Sequence, residues 1–156
     1  MIILGAQPTM QFVDGNGALP VFRHLADTNA RVALTAPGLT YAADVIATQP
    51  EPDRTTLTNS LDDILRQCRP PEGPGLDAPV AAYKFLPFGL DEIEAFPPIA
   101  RALAGAGLAR GTLEIQILAI ARTVDLPLAL LDGPRDRDML AALGAAGFHL
   151  QAVWIG

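Results

Sequence analysis

PLALLDGPRDRD, residues 127 to 138, runs an unbroken apolar segment into Gly-Pro and then into alternating charge. An apolar run bounded by turn residues reads as a strand buried on both faces, and the arginine and aspartate beyond the proline read as the start of a helix. The segment RVALTA, residues 31 to 36, lacks polar alternation in the same way. Strands covered on both faces belong to parallel sheets with helices above and below, so these two segments favour an α/β architecture.

The remaining chain fits that pattern. TMQFVD, 9 to 14, reads as a short apolar strand ending in Asp14, with GNG as a sharp turn before the helical spacing of Leu19, Phe22 and Leu25. LTYAADVIA after Pro37 is helical, and Leu57, Leu61, Ile64 and Leu65 predict an amphipathic helix over 54 to 68. RPPEGPGLDAP, 69 to 79, is a loop by composition, and VAAYKFLPF, 80 to 88, is a strand. DEIEAF and PPIARALAGAG read as helices broken at Pro97 and Pro98, TLEIQILAIARTV as a helix over 112 to 124, RDMLAALG as another, and FHLQAVW as a last strand. The expected fold is α/β, three-layer α/β/α, with a central parallel sheet of four or five strands in a single domain over residues 1–156. Sites in such sheets lie at the carboxyl ends of the strands.

Composition narrows the function. Half of the 156 residues are hydrophobic and 18% are charged, as in a globular protein. The net charge is −6 and Lys84 is the sole lysine, which argues against a basic nucleic-acid-binding module. It argues less against a metal-dependent nuclease, because bound cations reverse the field of clustered carboxylates. Apolar runs fall short of a membrane span and MIILGAQPTM lacks the basic region of a signal peptide, so a cytoplasmic location is the default expectation. Cys68 has no cysteine partner and reads as an inert thiol, while His24 and His149 lack neighbouring acids.

Acids at strand and helix ends carry the chemistry. Asp14 and Asp132 close expected strands, and Glu114 lies in the first turn of an expected helix. Converging carboxylates repel unless a cation neutralises them, and Mg²⁺ or Mn²⁺ suits an oxygen-rich site. Such an ion activates water and stabilises charge on a phosphate, so phosphodiester hydrolysis is the reaction this layout suits. Each acid also has an ordinary explanation. Asp before Gly-Pro or Gly-Asn-Gly is turn chemistry, and an acid in a first helical turn complements the macrodipole.

GTLEIQILAIA, PLALLD and RDMLAALG together resemble the PIN-like nucleases, which include toxins of bacterial toxin–antitoxin pairs, and FVDGNG is similar to that family's opening strand and Asp-x-Asn turn. The resemblance implies a Mg²⁺- or Mn²⁺-dependent ribonuclease with Asp14, Glu114 and Asp132 as catalytic metal ligands. Asn16 then braces the turn, Asp136 is an accessory carboxylate, Arg137 and Gly144 match the following helix, and Arg135, with Arg110, faces a substrate phosphate. It also implies an RNA substrate, an antitoxin partner and a homodimer. Two positions depart from the family pattern. Ala42 stands where an acid is expected after Pro37, leaving Asp44 two residues further round the helix, and Gly133 stands where relatives often carry a second aspartate. These departures favour the alternative of a catalytically degraded PIN-like module that binds RNA or protein.

Overall fold

The computed structural model describes residues 1–69 and 83–156. The proline-rich stretch after Arg69 and the first residues of the strand expected from 80 lie outside the described residues. The chain runs β1 (Ile2–Leu4), α1 (Ala6–Asp14), α2 (Pro20–Thr28), β2 (Val32–Thr35), α3 (Ala36–Ala47), α4 (Asp53–Cys68), β3 (Lys84–Leu86), α5 (Leu90–Gly105), α6 (Thr112–Val124), β4 (Leu128–Leu131), α7 (Pro134–Ala145) and β5 (Ala152–Ile155). The five strands form one parallel sheet in the order β3-β2-β1-β4-β5. This is the three-layer α/β architecture that the unbroken apolar strands imply.

Each strand sends alternate side chains to opposite faces. Ile3, Ala33, Leu128 and Leu130 enter one core with Ile99 and Leu103 of α5, the apolar face of α6, and Met139 and Leu143 of α7. Ile2, Leu4, Val32, Leu34 and Ala129 enter the other, against Phe12 and Val13 of α1, Val21 of α2, Leu39 and Ala42 of α3, and Leu61 and Ile64 of α4. The Leu57, Leu61, Ile64 and Leu65 stripe of α4 therefore packs into the core. No helix among the described residues is long and apolar enough to cross a membrane.

Three sequence expectations are corrected. Residues 9 to 14 belong to helix α1, and the first strand is Ile2–Leu4. Pro8, Thr9, Phe12 and Val13 are buried in α1 at a helical i, i+1, i+4, i+5 spacing, and Pro8 sits in the first turn, where a backbone N–H has no intrahelical partner. Gly15, with φ 79°, closes α1 and donates its N–H to the Gln11 carbonyl at 3.3 Å, so DGNG is a helix ending and not a strand end. Second, α5 continues through Pro97 and Pro98. The carbonyls that lose their donors belong to Ile93 and Glu94, both exposed, so water replaces the missing bonds while Ile99 and Leu103 keep their face in the core. Third, β5 begins at Ala152, not Phe148.

Leu4 is 0% exposed and lies in the central strand, whereas Leu90 is 80% exposed. Leu4→Ala is expected to lower the unfolding free energy by about 2–5 kcal/mol, and Leu90→Ala to change it by less than about 0.5 kcal/mol. Urea titration of the two variants checks this. Similar midpoints would contradict the placement of β1.

Candidate functional site

From β1 the chain builds outward to β2 and β3 on one side and later to β4 and β5 on the other, so the connections diverge between β1 and β4. The crevice beyond the carboxyl ends of two such strands is where open α/β sheets place ligands. Gly5 follows β1, Asp132 follows β4, and the first turns of α6 and α7 bring Glu114, Arg135 and Asp136 to the same edge.

Arginine dominates the geometry there. Arg135 grips Glu114 with two parallel bonds: Nη2 donates to Oε1 at 3.0 Å and Nη1 to Oε2 at 3.1 Å. Nη1 also donates to Asp136 Oδ1 at 3.3 Å. Arg110 is buried behind this pair; its Nη2 donates to the Arg135 carbonyl at 2.9 Å and its Nη1 to the Leu108 carbonyl at 3.1 Å. Its Nε lies 4.0 Å from Glu114 Oε2 and has no hydrogen-bond partner among the described residues. Burial pushes the Asp136 carboxyl above its ordinary range, opposed by the charge of Arg135 and reinforced by that of Glu114. The hydrogen bond with Glu114 raises Arg135, which therefore stays a cation.

Asp132 belongs to a separate pair. Its Oδ1 accepts from Arg137 Nε at 2.6 Å, and the Arg137 guanidinium stacks 4.4 Å from the centre of the Trp154 ring. This hydrogen bond holds the Asp132 carboxyl below the usual range. The charges alternating along RDRD thus serve different partners: Arg135 meets Glu114 of α6 and its neighbour Asp136, and Arg137 meets the ends of β4 and β5.

The structure brings Glu114, Asp136 and Arg135 together. It places Asp14 elsewhere, exposed at the end of α1, where its Oδ1 accepts from the Asn16 N–H at 3.3 Å and Asn16 Oδ1 accepts from the Ala18 N–H at 3.0 Å. Ala42 is fully buried against the α1 side of the sheet, and Asp44 is exposed, as a turn of about 200° over two residues requires. Cys68 is a partly buried free thiol whose pKa is raised by burial.

Sequence reasoning missed Gly5 and Leu130. A Cβ at Gly5 would lie 2.8 Å from Leu130 Cδ2 and 2.9 Å from the Ala129 carbonyl oxygen, so the position just beyond β1 accepts a side chain only if the backbone shifts. The signal was the apolar MIIL directly before Gly5, too short to stand out by periodicity.

A resident divalent ion does not fit these residues. The cleft between Gly5, Leu130 and Glu114 has a volume of about 20 Å³, room for about one water, while Mg²⁺ keeps several. Both carboxylates at its rim already share a guanidinium, and the described residues contain no group of three or more His, Cys, Asp or Glu side chains placed to hold a metal.

Comparison with known proteins matches the fold. No protein-family model matches the chain, and neither does any curated protein sequence. Among solved structures, the chain is similar to VapBC2 from Rickettsia felis bound to a DNA fragment from the promoter, with a TM-score of 0.67 and 12% identity, covering 100% of both chains. It is similar to FitAcB from Neisseria gonorrhoeae, with a TM-score of 0.63 and 18% identity over 97% of this chain and 96% of that one. VapBC-5 from Mycobacterium tuberculosis, a member of the VapBC family of toxin-antitoxin systems, aligns at a TM-score of 0.57 and 19% identity over 99% and 96%. The chain shares the PIN-like fold of these structures.

Two outcomes are expected from the geometry. Gly5→Ala should cost about 1–3 kcal/mol, because the crowding atom at 2.9 Å is a backbone oxygen that cannot swing aside. Chemical denaturation reads this. In Arg137→Ala the Asp132 carboxyl should titrate at higher pH than in the parent protein, as followed by carboxyl NMR. Its depressed folded pKa means that the pair stabilises the protein above the unfolded aspartate value, and that this contribution disappears as pH falls through the folded value. An unchanged midpoint would remove the proposed role of Arg137.

Proposed function

We propose that this chain is a PIN-like domain that works by binding a protein partner, and that metal-dependent RNA cleavage is not its activity. One observation carries the reading. Just beyond β1, where the sheet connections diverge, a side chain on Gly5 would collide with Leu130 and the Ala129 carbonyl, so this strand end carries no carboxylate. The net charge of −6, with Lys84 the sole lysine, favours a protein over RNA as the partner. The similar solved structures are named as VapBC and FitAB-type complexes, which supports an antitoxin-class partner for this chain as well.

A second reading has its own support. Glu114 at a helix start and Asp132 at a strand end stand around the carboxyl edge of a fold shared with toxin components. In that reading the two acids, with Asp14 and the accessory Asp136 or Asp44, hold Mg²⁺ or Mn²⁺, and Asn16 and Arg135 support an endoribonuclease.

An RNA cleavage assay with Mn²⁺ separates them. The wild type should cleave no faster than Asp14→Asn, Glu114→Gln and Asp132→Asn variants. Metal-dependent cleavage by the wild type that falls at least about 100-fold in Glu114→Gln or Asp132→Asn would establish the ribonuclease and sink the binding-module reading.

A further inference from the structure

We infer that Arg135 is a built-in replacement for the divalent cation: a guanidinium supplied by the chain itself neutralises the carboxylates at the divergence of β1 and β4. The inference rests on the reading above and specifies what took the place of the metal. Glu114 and Asp136 come from two different helices whose first turns converge on one edge. Like charges brought together in this way need a cation between them. Arg135 meets that need with three hydrogen bonds, two to Glu114 and one to Asp136, in the planar fork that matches a carboxylate.

A second observation points to the same carboxylate. Arg110 has a side chain only 7% exposed, and its buried Nε has no hydrogen-bond partner among the described residues, yet it lies 4.0 Å from Glu114 Oε2. Arg110 also anchors the backbone that presents Arg135, through its bond to the Arg135 carbonyl. Glu114 therefore sits between a guanidinium that binds it directly and one that reaches it through charge. With Arg110 and Arg135 against Glu114 and Asp136, the cluster is neutral without any bound ion.

This arrangement predicts an exchange of cations. Arg135 is 52% exposed on the first turn of α7, so its replacement leaves the packing of both cores intact. In Arg135→Gln the pair of carboxylates loses its nearest positive charge, and Mn²⁺ added at millimolar concentration should bind there and raise the melting temperature by about 2–4 °C. The wild type and Arg135→Lys should show no such rise, because each carries its own cation. The response should vanish in Glu114→Gln/Arg135→Gln, and sodium chloride at equal ionic strength should not reproduce it.

Thermal unfolding of the four proteins with and without Mn²⁺ tests this. A rise confined to Arg135→Gln supports the inference. An equal rise in the wild type, or no rise in Arg135→Gln, overturns it. RNA cleavage by the wild type would overturn the binding-module reading whatever the melting data give, so the two failures are distinguishable.

Discussion

The structure depends on β1 being paired on both edges and covered on both faces. Its backbone bonds to β2 and β4, and its side chains alternate between two cores, so Ile2, Ile3 and Leu4 are almost wholly removed from water. Three residues achieve this because a central parallel strand has no solvent-facing side to support. The same pairing continues past the strand: the Gly5 N–H donates to the Ala129 carbonyl at 2.9 Å, which draws the start of α1 tightly against β4. Close approach at the neighbouring position is maintained by Gly38, whose missing side chain leaves room for the buried hydroxyls of Thr35 and Thr9.

That tightness governs the chemistry of the edge. Leu130 fills the space over Gly5, so the polar groups lie further out, on the first turns of α6 and α7. An acid in a first turn is favoured by the helix dipole by about 0.3–1 kcal/mol, which accounts for Glu114 and Asp136 without any bound ion. What the dipole does not account for is the pairing. Arg135 binds Glu114 through both guanidinium arms, and Arg110, tied to backbone carbonyls, backs the same carboxylate. Because Arg135 is half exposed, solvent screens its pairing and its contribution to global stability is modest. Its main consequence is local: the edge carries balanced charge where a cluster of free acids would carry a strong negative field.

The alternation of strands and helices, the buried character of β2 and β4, and the extents of α4 and α6 were legible because unbroken apolar runs and helical stripes follow directly from burial. The opening of the chain was not. TMQFVD contains Phe and Val beside an aspartate and imitates a strand ending in a ligand, while the true strand is a few residues of MIIL with no period to measure. The double proline of α5 misled for a related reason, since a helix tolerates lost hydrogen bonds when water reaches the freed carbonyls.

From the residues alone came the α/β class, the covered parallel sheet and the candidates Asp14, Glu114 and Asp132, because hydrophobic period and charge are properties of the chain itself; Asp136 and Arg135 entered through the resemblance to the PIN-like nucleases. Tertiary structure alone decided what those charges do. Whether an aspartate is a turn residue, an ion-pair partner or a ligand depends on which side chain from a distant segment faces it. Asp14 meets its own turn, Asp132 meets Arg137, and Glu114 meets Arg135. The tertiary structure also placed Gly5 under Leu130, because only the pairing of β1 with β4 brings those two residues into contact.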